Sequence, residues 1–344
     1  MIKESIQKVI AGGNLEEKEA AGVMEQIMGG GATPAQIGAL LVALRLKGET
    51  VEEITGFARV MREMATRVSS SHKLLVDTCG TGGDGANTFN ISTAAALVAA
   101  GAGVPVAKHG NRSVSSKCGS ADVLEELGVN LELDPAEIGR CLDETGICFL
   151  FAQALHGAMK HAAGPRRDIG VRTVFNVLGP LTNPAGAQTQ VMGVFDAKLV
   201  PKLAGVLARL GSKRAFVVHG DGGLDEVSLS GPTLVAEVLN GDVRQYYIDP
   251  LEYGIARVGS AALSGGTPAE NAALIIDILN GKTGPRRDAV LLNAALAIMA
   301  SERAEDLKEA MVIAGKSIDS GAALEKLNKL KEFTRDNVRK VAGM

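Results

Sequence analysis

The chain has 344 residues, 46% of them hydrophobic, and a net charge of −3, so it holds material for a large core and lacks the overall basic field that nucleic-acid binding uses. No apolar run approaches the roughly 20 residues needed to cross a bilayer, and the N-terminal MIKESIQKVI alternates charged with apolar residues, so a cytoplasmic protein with no membrane partner is expected. Four cysteines (Cys79, Cys118, Cys141, Cys148) at no C-x-x-C spacing exclude a disulfide scaffold and are expected as reduced, mostly structural thiols.

The first seventy residues read as helices. Asn14 with Glu17, Thr33 with Gln36 behind Pro34, and Thr50 with Glu53 each set a capping side chain three residues before an acid or amide. Apolar residues then recur at helical spacing, as in Ile37, Leu40, Leu41 and Leu44. The polar run Ser69 to His72 ends this part. From Lys73 short apolar runs alternate with helical stretches: 74–79, 104–108, 148–152, 190–195 and 214–219 as strands, with 121–127, 135–145 and 197–210 as helices between them. Such alternation predicts right-handed βαβ units. Later, 234–239 and 243–248 flank Asn240-Gly241, the pair that suits a type I′ hairpin, so an antiparallel portion is expected. The predicted fold class is α/β, with a small all-helical N-terminal domain (1–72) and a large α/β domain (73–344) built on a central, mostly parallel sheet flanked by helices.

The stretch LLVDTCGTGGDGANTFNISTAAALVAA (74–100) carries the chemistry. An apolar run leads into Gly80, Gly82, Gly83 and Gly85, and a small-residue helix follows. Glycines let backbone N–H groups converge on an anion, and the helix N-terminus adds unpaired donors, so this is a phosphate cradle. The same letters fit G-x-G-x-x-G. In a dinucleotide fold, however, the helix starts near the third glycine and the next strand ends in an acid, whereas here Asn87, Thr88 and Asn90 intervene and the next strand ends in Lys108-His109-Gly110-Asn111-Arg112. Cations and an amide beside a glycine cradle suit several phosphates. A third strand end, HGDGGLDE (219–226), supplies Asp225 and Glu226, hard oxygen ligands of the kind that hold Mg2+ against phosphate, although an acidic pair alone is also an ordinary solvated turn.

Together, DTCGTGGD, NIST, KHGNR, GSADVLEELG, RTVFNVLGPLTNPA and LDEVS resemble the anthranilate phosphoribosyltransferases of tryptophan biosynthesis, and the resemblance runs from the helical start to near the C-terminus. It implies a homodimeric pentosyltransferase, on the fold shared with pyrimidine-type nucleoside phosphorylases, that transfers the phosphoribosyl group of 5-phosphoribosyl 1-pyrophosphate to anthranilate with two Mg2+ per monomer. It also implies that part of 165–185 joins the helical domain. On this resemblance Gly80, Gly83 and Asp84 meet the pyrophosphate, followed by Thr88, Asn90, Ile91, Ser92 and Thr93. Lys108, His109, Gly110, Asn111, Arg112, Ser113, Val114, Ser115, Ser116 and Ser120 hold the phosphoribosyl and pyrophosphate groups. Ser92, Asp225 and Glu226 are the implied metal ligands, and Gly80, Asn111 and Arg166 the implied anthranilate contacts. The chain departs from the commoner family pattern at Gln153 and Gly157, where proline is usual, beside His156.

No catalytic base stands out, and none is required, because an aromatic amine is already neutral at pH 7. His109 reads equally as a ligand or as a structural hydrogen-bonder, His219 as a loop-orienting residue, and Cys79 as a structural thiol. GPRRD occurs twice, at 164–168 and 284–288; Arg166 falls to the acceptor side and Arg286 to an ordinary surface role. Gly281-Lys282-Thr283 lacks the upstream glycine of a P-loop. The rival readings are nucleoside phosphorolysis, which needs neither the metal pair nor the anthranilate side, and a non-enzymatic nucleic-acid-binding relative, which a net charge of −3 disfavours.

Overall fold

The computed structural model describes residues 1–113 and 117–342. Four helices open the chain: α1 (Ile2–Ile10), α2 (Glu17–Met28), α3 (Pro34–Lys47) and α4 (Val51–Met64). Thr33 and Thr50 form the expected capping boxes with Gln36 and Glu53. The first cap differs: Glu16, boxed with Glu19, starts α2, and Asn14 instead accepts a hydrogen bond from Lys47 Nζ at 2.9 Å. Glu53 is fully buried, where it receives Lys47 Nζ and the backbone N–H groups of Thr50 and Leu15. It thereby ties the starts of two helices to one charge. Gly56 lets α2 and α4 close on each other, since a Cβ there would lie 2.3 Å from the Glu17 carbonyl oxygen.

Seven strands follow: β1 (Val76–Thr78), β2 (Val106–Gly110), β3 (Ile147–Phe151), β4 (Thr189–Gly193), β5 (Arg214–His219), β6 (Thr233–Leu239) and β7 (Asp242–Ile248). They form one sheet in the order β3-β2-β1-β4-β5-β6-β7, parallel from β3 through β5 and antiparallel beyond. Asn240 (φ 51°) and Gly241 (φ 95°) turn the β6–β7 hairpin with both central residues left-handed, as a type I′ turn requires. β1 starts two residues later and ends one residue earlier than the apolar run suggested, and the glycine loop begins after Cys79, whose N–H still reaches the Val191 carbonyl of β4.

Between β1 and β4 the chain makes α5 (Ile91–Gly101), α6 (Ser120–Glu126), α7 (Pro135–Thr145), α8 (Ala152–Leu155), α9 (Lys160–Ile169) and α10 (Phe175–Leu178); α11 (Leu199–Arg209) joins β4 to β5. The chain closes with α12 (Pro268–Leu279), α13 (Pro285–Ala300), α14 (Leu307–Asp319) and α15 (Ala322–Ala342). One core packs α5, α13 and their neighbours on one face of the sheet. The other runs from the sheet's opposite face, through Met192, Val217 and α11, into the four-helix bundle. Ala162 of α9 and Phe175 of α10 belong to that second core, so the chain around 160–178 packs with the bundle. Because β1 to β5 run parallel, their carboxyl ends share one edge, where ligands bind in open α/β sheets.

Candidate active site

The loop after β1 is folded onto the ends of β4 and β5. Cys79 N–H donates to the Val191 carbonyl (3.2 Å) and Thr81 N–H to that of Gly193 (2.9 Å). The acidic loop lies directly against this turn: Gly82 N–H donates to Asp225 Oδ2 at 2.7 Å, and Ser92 N–H to Glu226 Oε1 at 3.1 Å. Only glycine fits at the crossing. A Cβ on Gly80 would stand 2.8 Å from Asp225 Oδ2, and one on Gly193 would stand 1.5 Å from the Asp225 carbonyl oxygen. α5 starts at Ile91, six residues past the third glycine, which is not the dinucleotide-binding arrangement.

Asp84, Asp225 and Glu226 crowd one another. Burial pushes the Asp225 and Glu226 carboxyls up, and Asp84 raises Asp225 further as Asp225 raises Glu226; Lys108 and the Ser92 N–H oppose the rise at Glu226. An acidic pair in a solvated turn would show neither effect. Desolvated, mutually repelling carboxylates are hard oxygen ligands of the kind that suit a divalent cation such as Mg2+. Thr93 Oγ1, in the first turn of α5, is buried and has no hydrogen-bond partner among the described residues.

β2 supplies the neighbouring cation. Lys108 is buried and its Nζ donates to the Thr78 carbonyl at the end of β1. Asp77, also fully buried, accepts from His109 N–H (2.9 Å) and from Asn183 Nδ2 (2.8 Å), and burial pushes its carboxyl up to about 6 against the pull of Lys108. His109 Nε2 meets His156 Nε2 at 3.3 Å. Burial holds both imidazoles neutral, at about 3 and about 4. Asp77, Cys79 and His109 stand close enough to share a metal. Their chemistry argues otherwise: both Asp77 oxygens already accept hydrogen bonds, Lys108 adds a positive charge, and burial drives the Cys79 thiol far up, away from thiolate.

Asn111 is exposed, and its carbonyl accepts from Ser120 Oγ. Arg112 turns toward α6, pairing with Asp122 and Glu125 over the Phe151 ring, and Ser113 N–H donates to Asp122. Val114, Ser115 and Ser116 lie outside the described residues. Thr88 bridges to Ser264, and Asn90 is held by Asn271 and by the Cys118 carbonyl, so both brace the loop. Arg166, on α9, stacks on Phe175 with Cζ 5.0 Å from the ring centre. His219 Nδ1 sits 2.8 Å from the Val194 carbonyl oxygen, the loop-orienting contact its position suggested. Arg286, in the first turn of α13, donates from Nη2 to the Ser264 carbonyl, behind Thr88, in an exposed contact.

Several supporting residues escaped the sequence reading. Asp77 was signalled only by a carboxylate inside an apolar run, and Asn293 only by an amide inside the apolar α13, where its side chain grips both N–H and C=O of Val227, next to Glu226. Arg172, after α9, donates to the Gly83 carbonyl from a guanidinium stacked 4.4 Å over Phe195.

The sequence matches the glycosyl transferase family in its helical bundle domain over residues 3–65 and in its a/b domain over residues 72–324. It is 63% identical over 334 residues, 97% of either chain, to the anthranilate phosphoribosyltransferase of Pelotomaculum thermopropionicum, and 61% identical to that of Desulforudis audaxviator over 97% of this chain and 96% of the relative. Among solved structures it resembles the Thermus thermophilus enzyme (TM-score 0.92, 47% identity, 96% of this chain and 99% of that one). It also resembles the Saccharomyces cerevisiae enzyme in complex with PRPP and Mg (TM-score 0.89, 28% identity, 97% and 98%). With its near full-length identity to these enzymes, and a glycine loop, acidic pair and lysine meeting at the sheet's carboxyl edge, the chain belongs to the anthranilate phosphoribosyltransferase family.

Proposed function

We propose that this chain transfers the phosphoribosyl group from 5-phosphoribosyl 1-pyrophosphate to the amine of anthranilate, releasing pyrophosphate, as a step of tryptophan biosynthesis. The observation that carries this reading is the closure of the acidic loop on the glycine turn, Asp225 to Gly82, with Lys108 behind it. That arrangement combines backbone donors for phosphate with carboxylates whose burial and mutual repulsion a bound cation would relieve. Family membership supports anthranilate as the acceptor.

Ser92, Asp225 and Glu226, with Asp84 close by, would hold Mg2+, two per monomer on the family pattern. When bound, the metal supplies positive charge against the leaving pyrophosphate. The Gly80 to Asp84 backbone and Lys108 bind and orient the same group, so negative charge develops at the ribose C1–oxygen bond where donors already stand. Residues 108–113 and Ser120, including the expected ligand Asn111, flank the donor. Arg166 directs the anthranilate carboxylate while Phe175 backs its guanidinium. His109 and His156 stay neutral and serve as oriented hydrogen-bonding groups, consistent with a nucleophile that needs no strong base.

The same reading treats 1–72 with part of 165–185 as the smaller of two domains and takes the working unit as a homodimer. Support for the dimer comes from Ile10, Val42 and Leu46, which stay exposed on α1 and α3. Four free cysteines suit a reducing cytoplasm. No helix among the described residues is long and apolar enough to cross a membrane. Mixing the protein with anthranilate, 5-phosphoribosyl 1-pyrophosphate and Mg2+ tests the function. Anthranilate fluorescence should fall only when all are present, and a steady signal would refute it.

A further inference from the structure

We propose that Arg172 is a positioning residue for the donor cradle, fixing the Gly83–Asp84 peptide so that the Asp84 N–H is presented to pyrophosphate; this rests on the donor-site reading above. Arg172 lies two residues past Gly170, the left-handed cap of α9, and its guanidinium is stacked on Phe195 just beyond β4. From there Nη2 donates to the Gly83 carbonyl. The contact is made against a bare Cα: Gly83 has φ +75°, and a Cβ there would stand 2.9 Å from Nη2.

A trans peptide sets its C=O and N–H on opposite sides, and the described residues contain no cis bond. Holding the Gly83 carbonyl toward Arg172 therefore holds the Asp84 N–H on the other side. Besides this contact, the peptide is restrained through the Asp84 side chain, which accepts from Ala86 N–H and lies against Asp225. Gly82, Gly83 and Gly85 all have positive φ, and over residues 83–86 the Arg172 contact is the only hydrogen bond to the loop backbone from outside the loop among the described residues. Without it the glycine-rich turn samples other peptide orientations, and that freedom must be given up on binding. Arg166 sits on α9, six residues earlier, so one short segment carries the acceptor contact and the support of the donor loop.

Calorimetric titration of inorganic pyrophosphate, in excess Mg2+, into wild type, Arg172→Ala, Arg172→Lys and Arg167→Ala tests this. Arg167, whose side chain is 84% exposed, controls for charge. Arg172→Ala should bind about 5- to 20-fold more weakly, with KM for the phosphoribosyl donor rising in proportion, KM for anthranilate and the melting temperature barely moving, and kcat at saturating donor retained. Lysine should recover only part, since it keeps the charge but not the planar face against Phe195. Arg167→Ala should bind as wild type. Wild-type affinity in Arg172→Ala, full recovery by lysine, or an equal rise in both KM values would overturn the proposal. Failure of wild type itself to bind pyrophosphate would instead overturn the donor-site reading.

Discussion

His109 and His156 face each other Nε2 to Nε2 at 3.3 Å in the interior, a contact in which one ring must accept and so be neutral, while burial disfavours charge on either. Their folded values, about 3 and about 4, lie below the ordinary 6.5. The unfolded chain therefore takes up these protons first, and stability contributed by the pair is intact above about pH 6.5 and lost as pH falls toward 4. Asp77, raised to about 6 from 3.8, has the opposite sign between those values, so the test is a difference. Melting temperatures of wild type and His156→Gln, taken from pH 7.5 to 4.5, should not run parallel, the wild type losing more as the pH falls. Parallel pH profiles would contradict the neutral-pair assignment.

Asp225 and Glu226 hold acceptor positions that Asn and Gln can keep, toward Gly82 N–H and Ser92 N–H. Their charges are the unfavourable part, as the raised carboxyls indicate. The double variant Asp225→Asn, Glu226→Gln should thus melt higher than wild type without Mg2+, yet lose two or more orders of magnitude in kcat, the equivalent of ~3 kcal/mol or more of transition-state stabilisation. Retained turnover with an unchanged Mg2+ dependence would return the pair to a plain turn.

Gly83→Val combines three penalties: a left-handed φ of +75°, a β-branched side chain, and a collision with the Arg172 guanidinium. The backbone strain alone is about 1–3 kcal/mol, but the loop is peripheral to both cores, so the fold should persist. Binding of 5-phosphoribosyl 1-pyrophosphate should collapse in calorimetry. A folded variant that still binds tightly would mean the ligand sits elsewhere.

How far the sequence reached depended on the distance between partners. α7 at 135–145 and β5 at 214–219 have the bounds their punctuation predicted, and Asn240-Gly241 turned as expected, because caps, glycines and alternation act within a few residues. The glycine loop and the acidic pair were legible for the same reason. The Asn14 cap failed where a local signal met a distant competitor, Lys47, and a second local box, Glu16 with Glu19, was free to form. Asp77 with Asn183, Arg172 with Gly83 and His109 with His156 join segments between 47 and 106 residues apart. No single-sequence pattern marks such pairs; the order of strands in the sheet makes them.

The repeated GPRRD gives the chain an internal control, now with two different surroundings. Arg166 is stacked on Phe175 and partly desolvated, which holds its guanidinium below its ordinary value yet leaves it charged. A charge-assisted bond to a carboxylate is worth roughly 1.5–3 kcal/mol, so Arg166→Ala should lower kcat/KM for anthranilate by about 10- to 150-fold while affinity for the phosphoribosyl donor stays near wild type. Arg286 instead supports the Ser264 carbonyl, and through it the Thr88 bridge at the foot of the donor loop. Arg286→Ala should leave anthranilate use unchanged and weaken the donor a few-fold, the loss of one ordinary hydrogen bond. Steady-state kinetics with each substrate varied in turn separate the two arginines. If Arg286→Ala raised KM for anthranilate as much as Arg166→Ala does, the acceptor assignment of Arg166 would fail, since identical pentapeptides would then be acting alike despite their different neighbours.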